Sequence, residues 1–449
     1  MLINQGPGRE PRSKAATRLA HVLLPVLLAS VLTVPTPLLA QAARQFRLLS
    51  AKVIGSTRYG ESEIVRGTGL KLAETITLEG LKEAADRLAA TGVFSDVNYR
   101  YQTQGTALTA EFIVKDTGQF LPCTFENFVW FSPEELLNGL RARVPLFDGQ
   151  VPPGGQMQEN VSSGLAAMLE GRGIHAQVQA APLQAAGGPI QAMQFKVIGV
   201  AIPVRRIEFT GVQRVDPALL QEAGRPLMDR GFEASFFKDF TEEAVGRVYR
   251  QRGYLRAQFG DPLPQLLKGD GPPYSVSVSI AVTEGEQYRL KEIIWSGESA
   301  ISYQALAKTM HVAPGSPADA VQLEQDVLAL PMLFHPKGYI EADARSKPIL
   351  DDATRTAAYQ VQILQGDLYR MGKLEIAGLD EAQAKALERL CRLRPGDPYD
   401  STYWSTFLQE SARYLPPSAS GWTPRMRWTP HKDTKTVDVK LTFAPRASR

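Results

Sequence analysis

The residues that could perform catalysis or hold a metal ion are few and scattered along this chain. Ser235 and Lys238 have the spacing of a serine–lysine nucleophile, but the companion motifs of that chemistry are missing. Ser235 is better interpreted as the start of a helix. The histidines show no HExxH pair and no cluster typical of a metal site. They are His21, His175, His311, His335 and His431.

Other motifs also lack the context that their chemistry needs. Gly67–Gly69 has neither the third glycine nor the strand and helix of a dinucleotide site. Asp351–Asp352 and Gly269–Gly271 are predicted to lie in turns without further carboxylates, so no calcium site is indicated. Cys123 and Cys391 are interpreted as buried free thiols, far apart in the chain. The sequence therefore predicts no enzyme, no cofactor, no metal and no small-molecule substrate.

The first 42 residues read as a targeting segment. Four basic residues precede an apolar run from Leu19 to Ala40, which ends in the small-x-small pattern of residues 40–42. This order predicts a signal peptide, 1–42, cleaved after Ala42, and an exported protein. The apolar run also approaches the ~20 residues that span a bilayer, so an uncleaved inner-membrane anchor stays open.

Charge argues against a nucleic-acid partner. The chain has 50 Lys and Arg against 47 Asp and Glu. The leader holds four of the basic and one of the acidic residues, so 46 of each remain after cleavage. A nucleic-acid-binding protein needs a basic face that survives this subtraction, and no basic cluster is evident in the sequence.

A repeat is the main signal in the sequence. A glycine followed by a bulky apolar residue recurs with separations of 81, 80, 85 and 83 residues. Each pair follows a helical pattern, where glycine is typical of a left-handed helix end. Five copies at nearly constant spacing predict five tandem units. The pairs are Gly92-Val93, Gly173-Ile174, Gly253-Tyr254, Gly338-Tyr339 and Gly421-Trp422.

Each unit also has a strand-like opening, two helical patterns and an alternating closing stretch. Ser132 and Pro133, followed by Glu135, predict a capped helix start in the second unit. The order predicts an α+β fold of five tandem βααββ modules, each a three-stranded mixed sheet covered on one face by two helices. The predicted boundaries are 46–117, 118–201, 203–286, 287–367 and 368–445.

Three local features qualify this pattern. Leu263 to Pro273 is predicted to be a long loop, since it is rich in Pro and Gly. Pro331 is predicted to kink or shorten the second helix of the fourth unit. Aromatic residues near the unit junctions either pack in ordinary cores or fix the angles between units. They are Tyr288, Trp295 and Tyr369.

With these residues in view, the chain resembles tandem POTRA (polypeptide-transport-associated) domain proteins. The resemblance lies in Gly315–Pro317, Gly396–Pro398, Tyr249–Leu255 and Gly92–Val97. Five copies resemble the periplasmic arm of the bacterial outer-membrane β-barrel assembly factor. That family continues into a transmembrane barrel, whereas only a few residues follow the fifth unit. We therefore expect this chain to lack the barrel.

The resemblance implies that the second strand of each unit lies at a sheet edge. Edge strands carry unpaired N–H and C=O groups that can accept an incoming strand, unless a neighbouring unit or loop shields them. The candidate peptide-binding residues are Val97, Tyr99, Ala176, Val178, Ala257, Phe259, Ala342, Ala344, Met426 and Trp428.

The resemblance thus implies a non-catalytic periplasmic scaffold for outer-membrane protein assembly or polypeptide transport, associated with the outer membrane. Its expected partners are an outer-membrane β-barrel protein or assembly complex and unfolded outer-membrane protein clients. Two alternatives stay open. One is an inner-membrane-anchored periplasmic interaction protein. The other is the POTRA half of a split barrel-assembly gene.

Overall fold

The computed structural model describes residues 44–184, 187–267, 272–414 and 422–445. The predicted signal peptide, Gly269–Gly271 and Gly421 lie outside these residues. The described chain forms five mixed sheets. In each, the opening strand is parallel to the closing strand, and the strand before the closing strand pairs with it antiparallel. We call each sheet with its helices a unit, numbered 1 to 5 along the chain.

Unit 1 shows how local sequence specifies the arrangement. Thr77 caps the second helix by accepting a hydrogen bond from the Gly80 N–H (3.0 Å). Leu81 and Leu88 of that helix and Phe112 of the closing strand are fully buried. The elements are β1 (Gln45–Ile54), α1 (Glu61–Thr68), β2 (Thr75–Thr77), α2 (Leu78–Ala90), β3 (Phe94–Gln104) and β4 (Ala107–Asp116).

Unit 2 contains the predicted capping box. The Glu135 N–H donates to Ser132 Oγ (3.2 Å), and the Ser132 N–H donates to the Glu135 carboxylate (2.8 Å). Pro133 occupies the first helical position, as predicted. The elements are β5 (Leu121–Phe125), α3 (Pro133–Arg143), β6 (Gln150–Val151), α4 (Met157–Glu170), β7 (Gln177–Gln184) and β8 (Ile190–Ile198).

Unit 3 departs from the prediction at its long loop. Residues Leu263–Leu266 form a strand that pairs antiparallel with the closing strand, so this part of the predicted loop was wrong. Pro264 is tolerated because a proline on an edge strand can face its missing N–H away from the ladder. The elements are β9 (Val204–Thr210), α5 (Pro217–Gly224), α6 (Ala234–Phe240), α7 (Gly246–Arg250), β10 (Gln258–Phe259), β11 (Leu263–Leu266) and β12 (Val276–Thr283).

Units 4 and 5 are the simplest. Pro331 interrupts the second helix of unit 4, as predicted, because proline cannot donate the helical hydrogen bond. Unit 4 contains β13 (Arg289–Ser296), α8 (Tyr303–Ala307), α9 (Ala320–Ala329), α10 (Pro331–Phe334), β14 (Asp343–Asp351) and β15 (Thr356–Leu364). Unit 5 contains β16 (Arg370–Ala377), α11 (Glu381–Leu390), α12 (Tyr403–Ser411), β17 (Trp422–His431) and β18 (Thr436–Pro445).

The predicted α+β class with small mixed sheets is confirmed, with a refinement of sheet size. The sheets of units 4 and 5 have three strands. Units 1 and 2 add a short strand, β2 or β6, beside the opening strand. In unit 3 the second strand is split into β10 and β11, which both pair with β12.

The buried side chains form several cores. One continuous core runs through units 1 and 2 into unit 3, where it includes Phe232, Phe237 and Tyr274. The remainder of unit 3, unit 4 and unit 5 have cores of their own. Among the described residues, no helix has both the length and the apolar character needed to cross a membrane.

Candidate strand-docking edges and unit joints

Ser235 and Lys238, which have the spacing of a serine–lysine pair, each have a structural partner. Ser235 lies in the first turn of α6 and donates its N–H and its hydroxyl to the Glu126 carboxylate (2.9 and 3.0 Å). Lys238 pairs with Asp261 (2.8 Å), not with Ser235. Within the described ranges, no group of three potential metal ligands comes together. Asp352, in the predicted turn, binds Arg256 of the preceding unit (2.9 and 3.0 Å).

The second strand of each unit lies at the edge of its sheet. Strands β3, β7, β14 and β17 each pair with a single neighbour, the closing strand. In unit 3 this position is taken by β10 and β11. These are the strands that the resemblance implied as edges. Their binding of peptides stays a prediction.

Most of the predicted residues lie within these edge strands. In units 1 to 4 their side chains are half-buried or buried, whereas Met426 and Trp428 of unit 5 are 37% and 50% exposed. The residues in place are Val97 and Tyr99 in β3, Val178 in β7, Phe259 in β10, Ala344 in β14, and Met426 and Trp428 in β17.

Three predicted residues precede their strands instead, and their placement is corrected: Ala176, Ala257 and Ala342. The residues after the repeated glycine first close the helix. The Tyr254 N–H returns to the Tyr249 carbonyl (3.0 Å), and the Ala257 N–H then donates to the Tyr254 carbonyl (3.3 Å). Unit 4 repeats both bonds and unit 2 the first. The strand therefore begins later than the sequence pattern indicated.

The close approach of a glycine to a closing-strand carbonyl shows in which direction the backbone N–H and C=O groups of the edge strands point. A Cβ on Gly55, after β1, would collide with the Val114 carbonyl oxygen of β4, so this carbonyl faces β1. In a strand, the N–H and C=O groups of consecutive residues point to opposite neighbouring strands. Those of the odd-numbered residues of β4 therefore point to β3. Their partners on β3 are its even-numbered residues. The N–H and C=O groups of four β3 residues therefore point away from the sheet: Val97, Tyr99, Tyr101 and Thr103.

The backbone groups of the other edge strands alternate in the same way. Gly211, Gly297 and Gly378 approach the closing-strand carbonyls of Val282, Ile363 and Phe443 in the same way. In unit 2 the Phe195 carbonyl accepts from the Glu126 N–H beside β5. The registers then place every proline of the other edge strands at an outward position, where no ladder bond is lost. These are Pro182 in β7, Pro264 in β11, Pro348 in β14, and Pro424 and Pro430 in β17.

The repeated glycine also joins consecutive units. The Gly253 carbonyl accepts the Tyr288 N–H of unit 4, and the Gly338 carbonyl accepts the Tyr369 N–H of unit 5, both at 2.8 Å. A Cβ on Gly253 would lie 2.5 Å from the Tyr288 carbonyl oxygen. Two of the three junction aromatics thus contact the preceding unit. Trp295 instead stacks on Tyr303 within unit 4.

A buried carboxylate that was not predicted from the sequence ties the end of the closing strand of unit 3 to the loop after its opening strand. Glu284 accepts the N–H groups of Gln213, Arg214 and Val215 (2.8–3.1 Å) and the Tyr249 hydroxyl (3.0 Å). Burial alone would raise the pKa of Glu284. The three backbone N–H groups and the hydroxyl outweigh burial and lower the pKa below its usual value.

A signal for this role was present in the sequence. In units 1, 3 and 4, a side-chain acceptor stands two residues after the closing-strand residue whose carbonyl approaches the glycine. These acceptors are Asp116, Glu284 and Gln365. Each accepts a backbone N–H from the loop after the opening strand, as Asp116 does from Thr57 (2.8 Å). Side-chain acceptors at one place in the repeat predict a shared hydrogen-bonding role, not catalysis.

No family model matches the chain. Its sequence is 24% identical over 264 residues to a putative outer membrane protein assembly factor of Treponema pallidum (strain Nichols). The match covers 57% of this chain and 31% of that protein. The chain therefore spans about a third of the length of the curated relative.

Similar solved structures are POTRA domains. Haemophilus influenzae BamA POTRA3-5 is 22% identical, with 54% of this chain and 95% of that chain covered and a TM-score of 0.38. POTRA1-3 of Anabaena Omp85 is 12% identical, with 90% and 96% covered and a TM-score of 0.15. The relative and the repeated βααββ order together confirm the predicted family resemblance: this chain resembles tandem POTRA-domain proteins of outer-membrane protein assembly.

Proposed function

We propose that this chain is a non-catalytic periplasmic scaffold that holds unfolded outer-membrane proteins during their assembly or transport. The chain, with five units whose boundaries are predicted from the repeat, would present a strand edge to these clients. It would dock to an outer-membrane β-barrel protein or assembly complex. The relative described as an outer membrane protein assembly factor supports this role.

The observation that carries the proposal is the outward-facing backbone of the second strands. A barrel client consists of strands whose side chains alternate in polarity, and such a strand can extend a sheet through main-chain bonds. Main-chain bonding tolerates many client sequences. The half-buried side chains of Val97 and Tyr99 would meet the apolar side of an added strand.

The test uses the whole chain and a small barrel protein diluted from urea without detergent. We expect the chain to delay client aggregation in light scattering, in proportion to its concentration. Hydrogen exchange should show added protection at outward-facing amides of an edge strand. Unchanged aggregation and unchanged exchange would contradict the proposal.

Location is tested separately in the native envelope. N-terminal sequencing and crosslinking should find a chain that begins at Ala43 and lies beside an outer-membrane barrel. A chain that retains Leu19 to Ala40 beside inner-membrane proteins would instead support the anchored interaction protein.

A further inference from the structure

We infer that β3 of unit 1 is the edge that accepts the added strand, while the second strands of units 2 to 5 are closed to strand addition by proline. This inference rests on the proposed function and names the site at which it operates. Its ligand is an extended polypeptide whose side chains alternate between apolar and polar.

Strand β3 offers the longest uninterrupted outward backbone among the described edges. It spans 11 residues without proline. Val97, Tyr99, Tyr101 and Thr103 together direct four N–H and four C=O groups outward, at alternate positions along one continuous register with β4. An incoming strand pairs through such a row of alternate residues. Edges of this length and regularity are the ones that pair with other chains.

In each of the other units, a proline interrupts the corresponding row of outward N–H and C=O groups. In β17, Pro424 and Pro430 lie on either side of the two outward residues Met426 and Trp428. In β7, Pro182 follows two outward residues, and β11 has an outward proline in a strand of four residues. A proline removes the donor and places its ring where an added strand would approach.

Strand β14 is closed by three separate features. Pro348 lies at an outward position. The outward N–H of Ala344 is already bound by the Asp343 carboxylate (2.9 Å). Arg345 and Lys347 are exposed on the outer face of this strand. Proline and positive charge on an edge are the usual means of preventing strand addition.

The surface beside β3 specifies an alternating ligand. On the helix side, α2 packs against β3, and Tyr101 is 44% exposed next to the half-buried Tyr99. On the opposite side lie polar residues, including Arg100, which is paired with Glu111. An added strand would place apolar side chains beside the tyrosines and polar side chains beside Arg100.

The test measures amide exchange in the full chain with and without a synthetic peptide of about nine residues, the length of a barrel strand. The peptide alternates valine and threonine and ends in lysines. We expect new protection at the amides of Val97, Tyr99, Tyr101 and Thr103. The variant Tyr101→Pro should bind this peptide about tenfold more weakly, since one central donor is lost.

Tyr101→Ala is the matched control, because it removes the same side chain but keeps the N–H. It should bind more tightly than Tyr101→Pro. Thr103→Pro, nearer the turn, serves if Tyr101→Pro does not fold, which thermal unfolding reports. Equal binding by the proline and alanine variants would overturn the inference.

The remaining outcomes separate the inference from the proposed function. Protection at Val178 or Ser346 in place of β3 would overturn the choice of β3 but keep strand addition. No protection at any edge would overturn both. Protection of β3 that grows with protein concentration in the absence of peptide would assign this edge to a second copy of the chain and overturn the proposed ligand.

Discussion

Units 1 to 3 share one continuous buried core, whereas units 3 to 5 have separate cores and are joined through backbone bonds, exposed charges and the partly buried side chains of Leu255 and Ile340. At the first joint, a Cβ on Gly67 would contact Leu88 of unit 1 and Leu146 of unit 2 (3.1 and 3.0 Å), so both side chains pack around Gly67 of α1. At the second, the Trp130 ring stands edge-on to Tyr274, with centroids 5.1 Å apart. Both joints belong to one continuous core.

The third and fourth joints have a different chemistry. Besides the Gly253–Tyr288 hydrogen bond, Arg214 and Arg355 both pair with Glu286 (2.8 and 3.0 Å). At the fourth joint, Lys435 pairs with Asp367 at 2.5 Å. All of these charged groups are substantially exposed.

Units of one repeat are thus linked in two ways along the same chain. Burial of apolar area stabilises a joint over a wide range of salt and pH. Exposed ion pairs add little to the stability of a joint, and salt screens them. The geometry of such a joint therefore depends on its backbone contacts. The N-terminal joints should therefore unfold together with their units, while the C-terminal joints should change with solution conditions.

The largest effect is expected at the second joint. Trp130→Ala should destabilise units 2 and 3 together by about 3–5 kcal/mol, because a buried aromatic ring is removed from a shared core. Hydrogen exchange resolves which units lose protection. Trp295→Ala is the control, since its ring stacks on Tyr303 within unit 4. Lost protection in unit 2 with none in unit 3 would show that the shared core does not couple them.

A smaller effect is expected from the glycine of a C-terminal joint. Gly338 has φ of +92°, and a Cβ there would lie 2.6 Å from the Tyr369 carbonyl oxygen. Gly338→Ala should cost about 3 kcal/mol, part from left-handed backbone and part from the collision. It should also change the distance between units 4 and 5, which small-angle scattering measures.

Gly173→Ala is the matched control in the same motif. Gly173 has φ of +73°, but its Cβ would meet no atom within 4 Å. It should cost only the backbone strain, about 1–2 kcal/mol, and leave the scattering curve unchanged. Equal costs for the two variants would mean that the collision at Gly338 is relieved without consequence.

The sequence predicted the glycine repeat but not the contact of these glycines with the next unit. Gly173, Gly253 and Gly338 follow helices in the same way, so helix closure explains all three equally well. Whether the next unit approaches the glycine depends on tertiary packing, which periodicity does not encode. The strand starts were wrong at Ala176, Ala257 and Ala342 for a related reason, since helix closure uses residues that have strand-like side chains.

The direction of the edge groups could have been predicted in part. Proline is confined to edge positions that face away from the ladder, so Pro348 and Pro424 in strand-like stretches already indicate closed edges. The split of the unit 3 edge into β10 and β11 was not predictable, because Pro and Gly in residues 260–264 are equally typical of a loop.

A pH effect on the stability of unit 3 is expected through Glu284. Its pKa is lower in the folded chain, so its contribution is present above the ordinary carboxyl range and is lost as pH falls through the folded pKa. Calorimetry should show unit 3 weakening at acidic pH. Glu284→Gln should lower unit 3 stability at neutral pH by about 1–2 kcal/mol and reduce this pH dependence. An unchanged acid profile in the variant would assign the effect to other carboxylates.

The smallest effect is expected from salt. Spin labels at Glu222 and Gln325 report the distance between units 3 and 4, in a chain from which Cys123 and Cys391 have been replaced. Removing the Arg256–Asp352 pair with Arg256→Ala should broaden this distance distribution without a measurable change in unfolding temperature, because the pair is exposed. High salt should broaden it in the wild-type chain as well.

Labels at Lys82 and Glu134 provide the comparison across the first joint, where Leu88 and Leu146 pack around Gly67. Apolar contact is not screened, so high salt should leave this distribution as narrow as it is at low salt. Equal broadening at both joints would mean that the exposed Arg58–Asp148 pair, and not the shared core, holds units 1 and 2 in place. A narrow first joint beside a salt-sensitive third joint would keep β3 at a fixed position relative to unit 2 while units 4 and 5 adjust to a partner.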